Sequence, residues 1–308
     1  MANWDIITHD PRQHDYPVLL FYKYVTIENP AEFAQQHRAW CVQQGLKGRI
    51  LVASEGINGT VSGTRDAVMA YIELMHGDQR FADMEFKVSA GHQNVFPKMV
   101  CKPRKEIVTL GLENDVDPVR DTAPHLSPQE WKSTLESGDP NLVLIDVRNR
   151  YESEVGKFEG AICPPIEYFR DLPAELPKYD HLKDKKVLLY CTGGIRCEKA
   201  AALFRREGFK EVYQLHGGIA RYAEEVGTDH WKGELFVFDK RMTVPLSEEA
   251  SKNTPGQCAH TGKPSNHVVN CSNLLCHDLF VVDPELLASD SKYGYCPRCL
   301  PNIQQSSV

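Results

Sequence analysis

The chain has 308 residues, 42% hydrophobic and 25% charged, which suits two or three packed domains and argues against a disordered protein. Its net charge of −7 excludes a protein that coats nucleic acid through bulk charge, so any RNA contact must come from a local basic patch. Residues 1–16 are too polar for a secretory leader and no run is apolar enough to span a membrane, so a cytoplasmic protein without a membrane partner is expected. Ten cysteines in a reducing compartment point to metal ligation or catalysis before disulfides.

Residues 18–27, aromatic and branched, predict a strand, and residues 30–44 a helix closed by Gly45. A second strand follows at 48–53. Residues 54–60 (Ser-Glu-Gly-Ile-Asn-Gly-Thr) read as a glycine turn feeding a third strand at 60–62. A second helix at 65–76 and a last strand at 83–89 complete a β-α-β-β-α-β order, the pattern of a ferredoxin-like, acylphosphatase-like domain over 1–112. Its end carries Lys98, Lys102, Arg104 and Lys105 with no acid among them. Such a run either neutralises RNA phosphates or is a solvated strand edge whose lysines oppose aggregation.

Residues 113–126, with two prolines and several acids, read as a linker. Ser127-Pro128-Gln129-Glu130 is a capping box with proline at the first helical position. Strands at 142–146, 187–190 and 212–215 alternate with helices at 127–137 and 197–207, which predicts a parallel-sheet α/β domain over 127–236. Within it, a strand runs straight into Cys191-Thr192-Gly193-Gly194-Ile195-Arg196 and then a helix. Two glycines let backbone N–H groups turn toward one anion, and the helix N-terminus adds positive charge. Both favour a thiolate at Cys191, and Arg196 adds a fixed cation. Six residues from Cys to Arg make a cradle one residue tighter than a phosphatase loop, suited to a persulfide. Cys197 is open between a second active thiol, a resolving thiol and simple packing, with packing the default.

The remaining stretch, 237–308, is poor in periodicity and rich in cysteine. Cys271 and Cys276 are separated by four residues, Cys296 and Cys299 by two, with 19 residues between the pairs. That spacing predicts a structural four-cysteine zinc site, with Cys258 or His260 as alternative ligands; the competing reading is a set of unconnected reduced thiols.

Residues 127–231 resemble the rhodanese superfamily in Leu144-Ile145-Asp146-Val147-Arg148, in Tyr151-Glu152, in Gly160-Ala161-Ile162, in the Cys191 loop and in His216-Gly217-Gly218-Ile219. The resemblance implies that Asp146, Arg148 and Glu152 frame the loop; an ordinary ion-pair set is the equal alternative. The order of segments is more specific. The 54–60 motif, the 97–109 segment, Cys-Thr-Gly-Gly-Ile-Arg-Cys-Glu-Lys at 191–199, the 236–242 segment and the cysteine tail together resemble the rhodanese-type tRNA uridine hydroxylases over nearly the full length. That family adds a hydroxyl to C5 of the wobble uridine using O2, and its reactive cysteine corresponds to Cys191. The resemblance implies tRNA as partner and O2 as co-substrate. No haem, flavin or iron-triad motif is present in the sequence, and neither an organic cofactor nor an electron donor is assigned. Where the family carries a Cys-x-x-Cys, this chain has Cys258-Ala259-His260-Thr261, which leaves the metal ligand set open. A rhodanese sulfurtransferase moving sulfur from Cys191 is the alternative enzyme, and a non-catalytic tRNA-binding module the alternative outside enzymes.

Overall fold

A computed structural model describes residues 7–8, 12 and 14–304. Much of the polar N-terminal stretch and residues 305–308 lie outside the described residues. In β2 (Pro17–Tyr24) alternate residues Leu19 and Phe21 are fully buried while Leu20, Tyr22 and Tyr24 face the other way. The first sheet has the order β1-β5-β2-β4-β3-β6, adding β1 (Ile7–Thr8), β3 (Lys47–Ala53), β4 (Gly56–Ser62), β5 (Phe86–Ala90) and β6 (Met99–Pro103). Helices α1 (Pro30–Gln43) and α2 (Arg65–Gly77) connect β2 to β3 and β4 to β5, and contribute Ala34, Cys41, Val68 and Tyr71 to the core beneath the sheet.

The expected ferredoxin-like order is present, with two corrections. Residues 56–60 are strand, not turn, because β3 and β4 pair in full register from Lys47↔Ser62 to Ala53↔Gly56. The strand at 86–90 is not the last, since β6 adds to the sheet edge parallel to β3.

The second sheet is parallel throughout, β7-β11-β10-β8, built from β7 (His125–Leu126), β8 (Leu142–Asp146), β10 (Lys186–Tyr190) and β11 (Glu211–Leu215). Helix α3 (Pro128–Glu136) starts on the expected capping box, with Ser127 Oγ accepting from Glu130 N. α4 (Arg150–Val155), β9 (Gly156–Phe158) and α5 (Leu172–Glu175) precede β10. α6 (Ile195–Arg206) follows it, and α7 (Gly218–Glu225) follows β11. Two hydrophobic clusters cover the two faces of this sheet, one holding Ile145, Val187, Leu189 and α6, the other Trp131, Leu144, Leu188 and Tyr190.

The segment 113–126 is not a free tether. Val116 and Ala123 are buried in the α/β core, and residues 125–126 form its edge strand. The tail also has more regular structure than its composition suggests. β12 (Trp231–Gly233) pairs with β9, β13 (Leu235–Phe236) with β14 (Thr243–Val244), and β15 (Val268–Asn270) with β16 (Leu279–Val281). Short helices α8 (Glu248–Lys252), α9 (Pro284–Ser289) and α10 (Leu300–Gln304) complete it. Among the described residues no helix is long and apolar enough to cross a membrane.

Candidate functional site

The parallel strand β10 delivers Cys191 to the sheet's C-terminal edge, where α/β sheets present ligand sites. The sulfur then meets the loop's own backbone: Gly194 N–H donates to Cys191 Sγ at 3.2 Å, and the N–H groups of Arg196 and Cys197 also point at it. Gly194 has φ +103°, which favours glycine. A Cβ at Gly194 would stand 2.8 Å from Tyr22 Oη, and one at Gly193 2.8 Å from Leu20 Cδ2, so both glycines also permit close contact with the N-terminal sheet. The His216-Gly217-Gly218-Ile219 motif buttresses the loop, with Ile219 N–H and Ala220 N–H donating to the carbonyls of Cys191 and Thr192 at 3.0 Å each.

Cys191 is fully buried. Burial raises its pKa, yet the Cys197 thiol, the Arg196 guanidinium and the two backbone donors outweigh that and bring it down to about 6. At Cys41 and Cys101, where no such set of donors converges, burial dominates and pushes the thiol up to about 12. Cys197 is buried too, and burial and its bond to Cys191 hold its proton tightly. The two thiols therefore form a donor–acceptor pair, with the proton on Cys197.

Arg196 is gripped by Glu152 in a two-pronged ion pair, Nη1–Oε2 2.5 Å and Nη2–Oε1 2.8 Å. Asp146 and Arg148 form a separate, fully buried pair with each other. Arg148 also donates to the Gly156 carbonyl at 2.6 Å and lies against Tyr190 and Trp231. Of the three frame residues, Glu152 acts on the loop directly, while Asp146 and Arg148 brace the strand ends behind it.

Sequence reasoning did not foresee the roof over the loop. Tyr22 of the N-terminal sheet donates to Glu198 Oε1 at 3.1 Å, and the same carboxylate takes Thr122, His125 and Gln214 at 2.9 to 3.1 Å. Lys199, buried at its side chain, meets Glu55 at 3.0 Å, Glu106 at 2.8 Å and Asp115 at 2.7 Å. Glu55 belongs to the 54–60 motif, and Glu198-Lys199 to the end of the loop motif. The two signatures are thus two sides of one interdomain contact. A cavity of about 60 Å³ adjoins the loop, with Thr192, Lys87, Phe238 and Arg241 in its wall.

In the tail, the sulfurs of Cys271, Cys276, Cys296 and Cys299 lie within 4.8 Å of one another and could hold a metal ion. Cys296 N–H donates to Cys271 Sγ and Asn273 Nδ2 to Cys299 Sγ, both at 3.3 Å. Cys258 and His260, the alternative ligands, are not part of this group; the His260 ring instead bonds the Tyr293 carbonyl at 3.2 Å. Lys98, Lys102 and Arg104 share one face of β6 and its flanks, along one groove, whereas Lys105 is not among that groove's lining residues.

Residues 16–107 match the UPF0176 acylphosphatase like domain, 127–225 the Rhodanese-like domain and 232–300 the Rhodanase C-terminal region. Proteins of Staphylococcus aureus strains COL and Newman, each named tRNA uridine(34) hydroxylase, are 47% identical over 286 residues, covering 92% of this chain and 88% of theirs. The chain belongs to the tRNA uridine(34) hydroxylase family. Among solved structures, a rhodanese-like domain from Anabaena is 30% identical, covers 36% of this chain and 80% of its own, and has a TM-score of 0.31.

Proposed function

We propose that this chain is a cytoplasmic oxidoreductase that hydroxylates C5 of the wobble uridine of tRNA with O2 as co-substrate, and that Cys191 is its reactive thiol. The observation that carries this reading is the 47% identity to tRNA uridine(34) hydroxylases over 92% of the chain. The site is consistent with it. Cys191 is held as a thiolate near neutral pH, Arg196 fixes the compensating charge, and Glu152 positions Arg196. Thr192, Gly193, Gly194 and Ile195 supply the loop's shape, and Lys98, Lys102 and Arg104 supply phosphate contacts.

Zinc is proposed as the tail's metal, held by Cys271, Cys276, Cys296 and Cys299. A tetrahedral ion with Zn–S bonds of about 2.3 Å needs sulfurs about 3.8 Å apart. Cys276 and Cys296 stand at 3.7 Å. The two N–H···S contacts are the outer partners such a site uses. Four protein ligands leave no open position, so the metal's chemistry is structural.

Mass spectrometry of tRNA nucleosides from strains with and without the gene, in air and under oxygen depletion, tests the activity. The deletion should lose one oxygen from the wobble uridine and leave thiolated bases unchanged. Undiminished 5-oxygenated uridine, with no redundant pathway, removes the reading. The thiolate cradle equally favours a persulfide, so sulfur transfer is the second reading. It requires the opposite result, a lost thio-modification and rapid conversion of thiosulfate and cyanide to thiocyanate.

A further inference from the structure

The face of the N-terminal sheet that presents Leu20 to the reactive loop also carries Arg49, where it borders an open groove of about 690 Å³. Its floor is the edge of the N-terminal sheet, where the parallel pairing Arg49↔Val100 and Leu51↔Lys102 sets Arg49, Lys98, Lys102 and Arg104 along one face. Its opposite wall is the segment after β13, with Phe238 and Lys240. Among the described residues none of these five cations forms an ion pair with a carboxylate, although the chain as a whole carries a net −7. The one acid in the lining, Asp239, is buried and bound by Arg241. Positive charge is therefore concentrated here and left unneutralised.

Phe238 is 55% exposed in the middle of these charges. An exposed phenyl ring is poorly placed for stability but well placed to receive another flat ring. It rests edge-on against Phe236 at 5.1 Å between centroids, and the Arg196 guanidinium sits 5.9 Å from its centroid. The same ring lines the smaller cavity that reaches Thr192. Phe238 thus forms the boundary between the groove and the reactive loop.

Unpaired cations beside an exposed aromatic ring are the chemistry of single-stranded nucleic-acid binding, phosphates on the charges and bases on the ring. We propose that this groove seats the single-stranded RNA of an anticodon loop. Arg49, Lys98, Lys102, Arg104 and Lys240 take its phosphates, and Phe238 stacks the base that is presented to the Cys191 loop. The identity of the RNA rests on the hydroxylase reading; the groove's charge and ring do not.

Full-length, metal-loaded protein should be titrated with a fluorescent anticodon stem–loop RNA over a range of salt. Phe238→Ala should weaken binding roughly 5- to 100-fold with the salt slope unchanged, and Phe238→Trp should restore it. The triple variant Lys98→Gln, Lys102→Gln, Arg104→Gln should lower the slope of log affinity against log salt by about 2, near 0.7 per cation. Lys210→Gln, at the far end of the parallel sheet, should bind as wild type. The same variants are then scored for 5-hydroxyuridine in the deletion strain. Wild-type binding by both groove variants overturns the groove, and normal hydroxylation by them leaves the hydroxylase reading standing. Groove-dependent RNA binding by a protein that restores no 5-hydroxyuridine sustains the groove and removes that reading. Equal affinity for polyglutamate of matched charge, insensitive to Phe238→Ala, overturns RNA as the occupant in favour of an acidic protein.

Discussion

The Cys191 loop and the cysteine tail both gather sulfur, but they do so by opposite routes. In the loop one sulfur is surrounded by N–H donors from residues within six positions of it, and the Arg196 guanidinium, five residues on, is locked by Glu152. In the tail four sulfurs come from two pairs separated by 19 residues, and the fold brings all four within 4.8 Å of one another. A single thiolate surrounded by fixed dipoles retains its lone pairs for chemistry. Four sulfurs sharing one ion would spend theirs on coordination, and folding of the tail would then be coupled to the metal. The difference lies in where the compensating charge resides: in backbone and arginine for the loop, and for the tail in the zinc ion proposed above.

Cys191→Ser is expected to break the loop side of this comparison completely. Wobble-uridine 5-hydroxylation should fall to background while the melting temperature barely moves, because the hydroxyl fills nearly the same volume and can accept the same N–H groups. Activity retained by that variant would show that the reactive sulfur lies elsewhere. On the tail side, purified protein should contain about one zinc per chain. Strong chelation should unfold residues of the tail, read as new proteolytic cleavage after residue 237, and leave the Cys191 thiolate in place. A metal-free protein whose tail resists protease would sink the zinc assignment.

Smaller changes sharpen the loop's electrostatics. Thiolate absorbance attributable to Cys191 should appear with a midpoint near pH 6, so the reactive form is present above that pH and lost below it. Arg196→Lys should move the midpoint upward and slow the reaction by roughly tenfold or more, since a lysine cannot reproduce the two-pronged grip on Glu152. An unmoved midpoint would assign the low value to the Cys197 thiol and the backbone donors. The mildest effect is expected for Cys197→Ser, whose hydroxyl can still donate to Cys191; a loss as deep as that of Cys191→Ser would instead make the two thiols a redox pair.

Much of this was legible in the chain. The loop is contiguous, so strand, glycines, arginine and helix start could be read in one pass, and the tail's pairs follow ligand spacing. The ferredoxin-like order was legible from alternation and caps. The misreadings share one cause. Gly56 and Gly59 suggest a turn, but they are strand residues paired with β2 and β3, and they are glycines because Lys23 and Phe21 leave no room for a Cβ. The acid- and proline-bearing 113–126 segment suggests a tether, but Val116 and Ala123 find a core to enter. Local composition cannot register what lies across the fold.

The sequence by itself pointed to a cysteine in an anion cradle, a group of four cysteines with ligand spacing and a three-part chain, because each depends on neighbours within a few residues or on spacing. Only the tertiary structure decided that Tyr22 and Leu20 roof the loop, that Glu55 and Lys199 join two distant signatures, and that Phe238 stands beside Arg196. Those contacts join residues more than 40 positions apart. They form because the uncovered face of the first sheet must be buried or put to use, and which partner meets it is settled by packing rather than by any local pattern.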